Sequence, residues 1–449
     1  MGRKSELHIS GDRNDSDQVI EIVRLTSDGT GVGYLAGKTT FVPGMLPGEK
    51  GKVRISEEKK TYQRAEVLEL LEHSAERQIP PCSDYHVCGG CDLQHANYAY
   101  SLKWKRQWVE DALTRIGGFR DIRVEPVMGM EDPWRYRNKA LLHRNEEGRW
   151  GYYKEKTKEV VEFEDCLLLS RNTNERIRKL RKTLGNRCPG IKTATLRESN
   201  RGKGLLLLEG NTKEKQELEY LVRELKKEEI FSPHICSVSI PQGGEEFEGS
   251  GAQYLNEHLD ELRFRVSPRA FLQVNAAQTE KLYGLVLDWA QLSGREEVWD
   301  LYCGIGTITL MLAKRAGHVI GIEENPYAVE DAAQNAKDNK IANVHFLQGK
   351  VEDRIKGISH TPDLVVTDPP RAGMEPLVVQ RLLEVKPRRM IYVSCNPATL
   401  ARDLRLLLAN EGENEAGKEN YKIEKVQPVD MFPWTAHVET VCLMSKVNK

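Results

Sequence analysis

The sequence predicts a multidomain α/β protein: a small N-terminal β-barrel, a central α+β region with a cysteine cluster, and a C-terminal half built on a doubly wound, mostly parallel sheet. Three observations carry this reading. Between residues 17 and 74, short apolar runs alternate with Gly- and Pro-rich turns. Cys82, Cys88 and Cys91 crowd one loop-like stretch. From residue 266 to 449, short apolar strands alternate with helical patterns. At 449 residues the chain is also too long for one core, since single cores stop growing at about 250–300 residues. The segments read as a disordered tail (1–16), a barrel (17–74), a central region (75–265) and a C-terminal domain (266–449).

Composition narrows the function. The 66 basic and 67 acidic residues nearly cancel, so any nucleic-acid contact must come from local basic surface. No run approaches the roughly 20 apolar residues that span a bilayer. Met1 to Ser16 lacks the apolar core of a secretory signal. Nine unevenly spaced cysteines point to a reducing cytoplasm, where a Cys cluster is metal-binding or catalytic rather than disulfide-bonded. The expectation is a cytoplasmic monomer with no membrane association.

In the barrel, Val19 to Val23, Thr39 to Val42, Lys52 to Ser56 and Ala65 to Leu71 read as strands. Asp28 to Gly33 and Pro43 to Gly48 read as turns. The strings GVGYLAGKTTFVPGMLPGE and KKTYQRAEV resemble a TRAM domain, an oligonucleotide-binding-type barrel found on RNA-modifying enzymes. The resemblance makes Lys59, Lys60, Tyr62 and Arg64 candidate RNA contacts. A solvated strand edge has the same composition.

The central region holds an amphipathic stretch (Tyr98 to Ile116), short strands (Ala140 to His143, Leu205 to Glu209) and a charged helical run (Glu214 to Glu229). Arg171 to Arg187 is rich in Arg and Lys, followed by Lys192 and Arg197. A solvated helix face and an RNA patch explain that run equally.

In the C-terminal domain, Val298 to Tyr302 leads into Cys303-Gly304-Ile305-Gly306-Thr307, a strand followed by a Gly-rich turn and a helix. Thr309 stands where a dinucleotide motif needs its third glycine, and no P-loop Lys follows. The next strand ends in Glu323, spaced to bind ribose hydroxyls at the sheet's carboxyl edge. Together these resemble motif I of the Rossmann-like class I methyltransferases. Asp368-Pro369-Pro370-Arg371 follows another strand, Leu364 to Thr367, and the prolines fix the backbone around the Asp carboxylate. Cys395 follows Met390 to Ser394 and precedes a helix from Ala398 to Leu408, where the helix dipole favours a thiolate. Glu439 opens the apolar run Val438 to Met444, and burial there should raise its pKa. An activated Cys, a carboxylate base and a methyl donor are what methylation of uracil carbon 5 requires, because that carbon is nucleophilic only after a thiolate adds to carbon 6.

The motifs DLYCGIGTITL, GIE, DPPRAG, YVSCNPATLARDL and HVETV resemble the RNA uracil-5-methyltransferase family. With the TRAM-like barrel and Cys cluster, the resemblance covers nearly the whole chain. It implies Cys395 as nucleophile and Glu439 as base, with Gln273, Tyr302, Glu323 and Asp368 lining an S-adenosylmethionine site. Thr307 stands where some relatives have Asn, so no cofactor contact is carried over there. Cys82, Cys88 and Cys91, with Cys166 as fourth ligand, suit zinc or an iron–sulfur cluster by chemistry alone. The resemblance implies [4Fe-4S] and, with the barrel, 23S ribosomal RNA as substrate. Transfer RNA is the alternative substrate, and a non-catalytic iron–sulfur RNA-binding protein the alternative class. The spacing of radical S-adenosylmethionine enzymes is absent.

Overall fold

The computed structural model describes residues 17–185, 187, 189–210, 223–224, 236–239, 246–248, 254–408 and 421–447. The expected tail lies outside them, as does the run from Glu214 to Glu229 apart from Arg223 and Glu224. Packing divides the chain into two units, Met1–Ile79 with His95–Asn97, and Pro80–Gln94 with Tyr98–Lys449.

The first unit is a closed five-stranded barrel of β1 (Gln18–Leu25), β2 (Gly31–Leu35), β3 (Lys38–Val42), β4 (Lys50–Glu58) and β5 (Tyr62–Glu72), in the order β1-β2-β3-β5-β4. Alternate residues of the strands turn inward, so Ile20, Ile22, Val42 and Val53 meet Met45 in the core. One expectation is corrected here. Gly31 to Gly33 is strand, not turn. Its glycines reflect crowding: a Cβ on Gly33 would lie 2.4 Å from the Glu21 carbonyl oxygen. The candidate RNA-contact residues sit at and beyond the β4–β5 turn. Lys60 is exposed there, and Lys59 and Arg64 both pair with Glu57 at 3.0 and 3.4 Å.

The second unit contains two seven-stranded sheets. The first is built from β6 (Lys139–Arg144), β7 (Trp150–Tyr153), β8 (Val160–Val161), β9 (Ile191–Glu198), β10 (Gly204–Gly210), β11 (Cys236–Ser239) and β12 (Glu246–Glu248), in the order β12-β11-β10-β9-β6-β7-β8. Helix α1 (Tyr98–Arg115) precedes it in the chain, and α2 (Arg171–Leu184) covers it through Ile177, Leu180 and Leu184. The basic run thus has a divided role. Arg181 turns inward, its Nε 3.0 Å from the Trp150 carbonyl, while Arg171, Arg178 and Lys182 stay exposed.

A hairpin of β13 (Leu255–Leu259) and β14 (Leu262–Val266) leads to the second sheet. Its elements are α3 (Ala276–Ala290), β15 (Glu297–Leu301), α4 (Thr307–Ala313), β16 (His318–Glu323), α5 (Pro326–Asp338), β17 (Val344–Gln348), α6 (Val351–Arg354), β18 (Leu364–Thr367), α7 (Pro376–Val385), β19 (Arg389–Ser394), α8 (Pro397–Leu408), β20 (Tyr421–Val429) and β21 (Glu439–Lys446). The order is β17-β16-β15-β18-β19-β21-β20, with the first five parallel and the last two antiparallel. Successive side chains face opposite sides, so Val298, Val366 and Ile391 pack under α3 and α4, while Trp299, Val365 and Tyr392 pack under α7 and α8. Both faces are covered, as a parallel sheet requires.

Helix α1 packs on this second sheet, placing Val109 and Leu113 in the same cluster as Leu404 and Leu407 of α8. It also carries a fully buried cation: Lys105 Nζ donates to Asp430 at 2.6 Å and to the Phe432 carbonyl at 3.0 Å. Tyr98 donates to the other Asp430 oxygen at 2.7 Å. Removing one partner of such a pair strands the other charge in the interior. Lys105→Met is therefore expected to cost about 3–5 kcal/mol in denaturant unfolding. Adding Asp430→Leu should restore much of the loss. A single variant as stable as the parent would show that the pair is not a structural determinant.

Candidate active site

The carboxyl ends of β15, β16, β18 and β19 gather the chemistry. At the end of β15, Asp300 is fully buried and accepts from Thr309 Oγ1 at 2.5 Å, and burial pushes its carboxyl up to about 7. Tyr302 follows with φ +66° and Gly304 with φ +56°. A Cβ on Gly304 would meet nothing within 4 Å, so the position is selected for its left-handed backbone, and it opens on a cleft. Glu323, half-buried at the end of β16, accepts from Gly304 N at 3.0 Å and Asn325 N at 2.7 Å, which fixes the Gly-rich turn against the next helix.

The cleft has an empty volume of about 370 Å³ and is lined by Phe271, Leu272, Gln273, Tyr283, Asp300, Tyr302, Cys303, Gly304, Ile305, Thr307, Ile308 and Asp368. Three of the four expected cofactor residues, Gln273, Tyr302 and Asp368, meet there. Glu323 does not line the cleft and stands behind Gly304. Gln273 is buried, and its Oε1 has no hydrogen-bond partner, an orphan acceptor that suits a donor on a bound ligand. Sequence reasoning did not single out Phe271, Tyr283 or Asp300. Phe271 shows itself only in three dimensions, as an aromatic ring 61% exposed at the cleft. Tyr283 lies on α3 and its hydroxyl is 3.1 Å from Thr307 Oγ1.

The β-ladder explains how Cys395 and Glu439, far apart in sequence, come together. β19 pairs antiparallel with β21 so that Ser394 faces Thr440. One further step in that register puts Cys395 beside Glu439. Asn396 caps the turn into α8: Ser394 Oγ accepts from Asn396 N at 3.1 Å, and Asn396 Oδ1 accepts from Ala398 N at 3.0 Å.

Electrostatics correct one expectation. The surroundings of Cys395 oppose the thiolate that a helix start favours. Burial pushes the thiol up to about 12, the Glu439 and Asp368 carboxyls add to the rise, and Arg371 opposes it. Glu439 itself is raised well above the usual carboxylate range by burial and by Asp368. Burial also raises Asp368, to about 7. Glu439 Oε2 has no partner. A helix start is a weaker influence on the thiol than desolvation beside two acids.

The four cysteines expected as metal ligands are free and half-buried. Among the described residues, no three His, Cys, Asp or Glu side chains are drawn together as a single metal ion would require. Each of the four nonetheless bears electrostatically on the other three. Burial raises Cys82, Cys166, Cys91 and Cys88, the last to about 11. Their segment is tied to the loop before Glu439: Asp92 N and Leu93 N donate to the Trp434 carbonyl at 2.9 and 3.0 Å, and Asp92 Oδ2 accepts from Ala436 N at 2.8 Å.

Residues 251–447 match the family described as tRNA (Uracil-5-)-methyltransferase, and residues 16–68 match the TRAM domain. An uncharacterized RNA methyltransferase of Halalkalibacterium halodurans is 37% identical, over 97% of this chain and 98% of that protein. One from Clostridium acetobutylicum is 36% identical over the same shares. The chain belongs to the RNA uracil-5-methyltransferase family and carries a TRAM domain. Pyrococcus abyssi tRNA (uracil-54, C5)-methyltransferase, solved with S-adenosyl-L-homocysteine, has a similar structure at TM-score 0.70 and 26% identity, over 95% of this chain and all (100%) of that one. The enzyme is thus an S-adenosylmethionine-dependent RNA methyltransferase. No helix among the described residues is long and apolar enough to cross a membrane.

The raised thiol gives a direct test. Alkylation of Cys395 by iodoacetamide, followed by peptide mass spectrometry across pH, should rise only well into the alkaline range. Glu439→Gln should move that rise to lower pH by removing a neighbouring negative charge. A parent thiol that alkylates fully near neutrality would contradict the site's electrostatics.

Proposed function

We propose that this enzyme methylates carbon 5 of a uridine in 23S ribosomal RNA through a covalent adduct between Cys395 and uracil carbon 6. The observation that carries this reading is the β19–β21 register, which puts Cys395 and Glu439 side by side at the sheet edge where Asp368 follows β18. S-adenosylmethionine, when bound, supplies an electrophilic methyl group. Gln273, Tyr302 and Asp368 would hold it in the cleft, with Glu323 supporting the turn beneath.

The residues divide the proton traffic. Cys395 Sγ adds to carbon 6, and its proton passes to the Asp368–Glu439 pair as the ring electrons move onto the carbon 4 oxygen. Carbon 5 uses that electron pair to take the methyl group, and the electrons of the broken methyl–sulfur bond stay with the departing thioether. Glu439, as carboxylate, then removes the carbon 5 proton. The freed electron pair restores the ring double bond while the bond from carbon 6 to sulfur breaks. The leaving thiolate regains its proton, and one proton goes to solvent overall. The high pKa of Glu439 suits this step, because a carboxylate destabilised by burial is a stronger base. It is a residue of the protein interior, 3% exposed, where water competes little for it.

Cys82, Cys88, Cys91 and Cys166 are proposed to hold a [4Fe-4S] cluster, supported by their all-thiol donor set and mutual electrostatic reach. When bound, the cluster would offset the desolvation of four clustered thiolates, and through Asp92 it would brace the loop that precedes Glu439. Cytoplasmic location and a monomeric state complete the reading. Transfer RNA is the second reading, favoured by the likeness to the Pyrococcus abyssi enzyme named for transfer RNA.

Labelled S-adenosylmethionine, offered with separated under-methylated 23S, 16S and transfer RNA, decides the substrate. Label in 5-methyluridine of 23S RNA is expected. Label in transfer RNA would favour the second reading, and none in any RNA would remove the proposal. Cys395→Ala should abolish turnover and adduct together. Glu439→Gln should accumulate an RNA–protein adduct that survives denaturing gels; its absence would dismiss Glu439 as the base. Anaerobically purified parent should show brown iron–sulfur absorbance with matching iron and sulfide, and Cys88→Ser should lose it. Unchanged iron and sulfide in that variant would refute the assigned ligands.

A further inference from the structure

Three cations crowd the face where the first sheet of the second unit meets the strand leading to the catalytic domain. Lys139 of β6 and Arg197 of β9 are direct cross-strand partners. Arg137, two residues earlier, turns back so that its Nε donates to the Lys139 carbonyl at 3.1 Å. Like charges directly opposite one another on a sheet are destabilising. Among the described residues, none of the three makes an ion pair. Arg197 is 2% exposed, yet its Nε and Nη1 find no acceptor, and Nη2 alone donates, to the Ala270 carbonyl at 3.1 Å. Nearby carboxyls are few. Glu257 bears on Arg197 and Glu209 on Lys139, neither within ion-pair distance. Burial and the two guanidinium groups drop the Lys139 ammonium to about 8, so at neutral pH its charge is held against the fold.

The cluster lies on the way to the catalytic centre. Asn138, between Arg137 and Lys139, donates its N to the Val274 carbonyl at 2.9 Å and its Nδ2 to the Gln273 carbonyl at 3.2 Å. Arg137 and Arg371 both bear on His437, and burial with these charges lowers that imidazole to about 4. Arg371 bears in turn on Cys395. A row of cations without ion pairs among the described residues, leading toward Cys395, has a chemical purpose when a polyanion must lie along it.

We propose that Arg137, Lys139 and Arg197 form a phosphodiester-binding site that seats the RNA strand beside the nucleotide entering the Cys395 centre, with Lys139 and Arg137 as the contacting donors and Arg197 as the buried charge behind them. This rests on the RNA methylation reading above. The repulsion stored between the cations is relieved when a phosphate enters, which couples the site's instability to its affinity.

The test compares the parent with Lys139→Gln and Lys139→Arg, using a fluorescein-labelled single-stranded uridine-containing oligonucleotide across a sodium chloride series. Lys139→Gln should weaken binding by roughly tenfold. It should reduce the slope of log affinity against log salt by about 0.7, the value for one phosphate contact on a single strand. Affinity for S-adenosylmethionine should be unchanged and the melting temperature unchanged or higher. Lys139→Arg should restore binding. Unchanged affinity and slope, or a lower melting temperature with an unchanged slope, would assign the cations a structural role and overturn the proposal. The two readings fail separately: if the parent methylates RNA but binding ignores Lys139, the phosphate site is wrong. If no RNA is methylated yet oligonucleotide binding follows Lys139, the reaction is wrong and the site stands.

Discussion

Lys105 and Asp430 are both fully buried, on elements distant in sequence, and they meet at 2.6 Å. Asp430 sits where β20 ends, and the chain from there to His437 has little regular structure of its own. An irregular buried segment must find partners for its backbone groups elsewhere. Here α1 supplies one through Lys105, α3 another through Gln278, whose Nε2 donates to the Asp430 carbonyl at 3.1 Å, and the cysteine segment a third through Asp92, while Tyr98 holds the Asp430 carboxylate. Trp434, with φ +67°, stacks on Trp134 with ring centroids 4.4 Å apart and donates to the Pro133 carbonyl at 3.0 Å. These ties determine where β21 begins, and its first residue is Glu439. The position of the proposed base is thus set from outside its own sheet.

This arrangement gives the cysteine cluster a physical meaning that needs no electron transfer. Asp92 is the residue after Cys91, and both its backbone N–H and its carboxylate bind the loop. Tyr136 adds a bond from its hydroxyl to the Pro433 carbonyl at 3.0 Å, and its ring packs with Leu168 and Trp434 against Cys91 and Cys166. A group that held the four cysteines together, as proposed, would therefore also stiffen the segment before Glu439. A small apolar patch on an irregular loop gains little from its own burial, so a crosslink among its thiols is an effective way to order it.

The legible part of the sequence was the part with strong periodicity. The parallel strands announced themselves as short apolar runs, because both their faces are buried. β20 escaped notice because it is an edge strand: Lys422, Glu424 and Lys425 interrupt its apolar residues, and Pro428, with no N–H to give, is tolerated at the sheet's edge. Gly31 and Gly33 looked like turn residues, since sequence cannot tell a glycine needed for its dihedrals from one needed because a neighbouring strand leaves no room. The packing of α1 on the catalytic sheet was equally hidden. Its buried face includes Ser101 and Lys105, which no hydrophobic pattern would assign to a core.

The protonation of the site was legible in part, and the difference is instructive. Glu439 in an apolar strand was enough to anticipate a raised carboxyl. Cys395 at a helix start suggested a lowered thiol, yet the thiol is raised. The helix dipole acts on Cys395 through local sequence alone, whereas Glu439 and Asp368 reach it from two other strands. Local effects on a charge are worth a few tenths of a unit to about one, and desolvation beside acids is worth several. The three groups also restrain one another. Ionising any one makes the next ionisation harder. A thiol of this kind is poorly reactive toward solvent oxidants and electrophiles. In the proposed mechanism it would become a nucleophile only when one of the flanking acids is free to accept its proton, which would couple activation of Cys395 to the protonation of its neighbours.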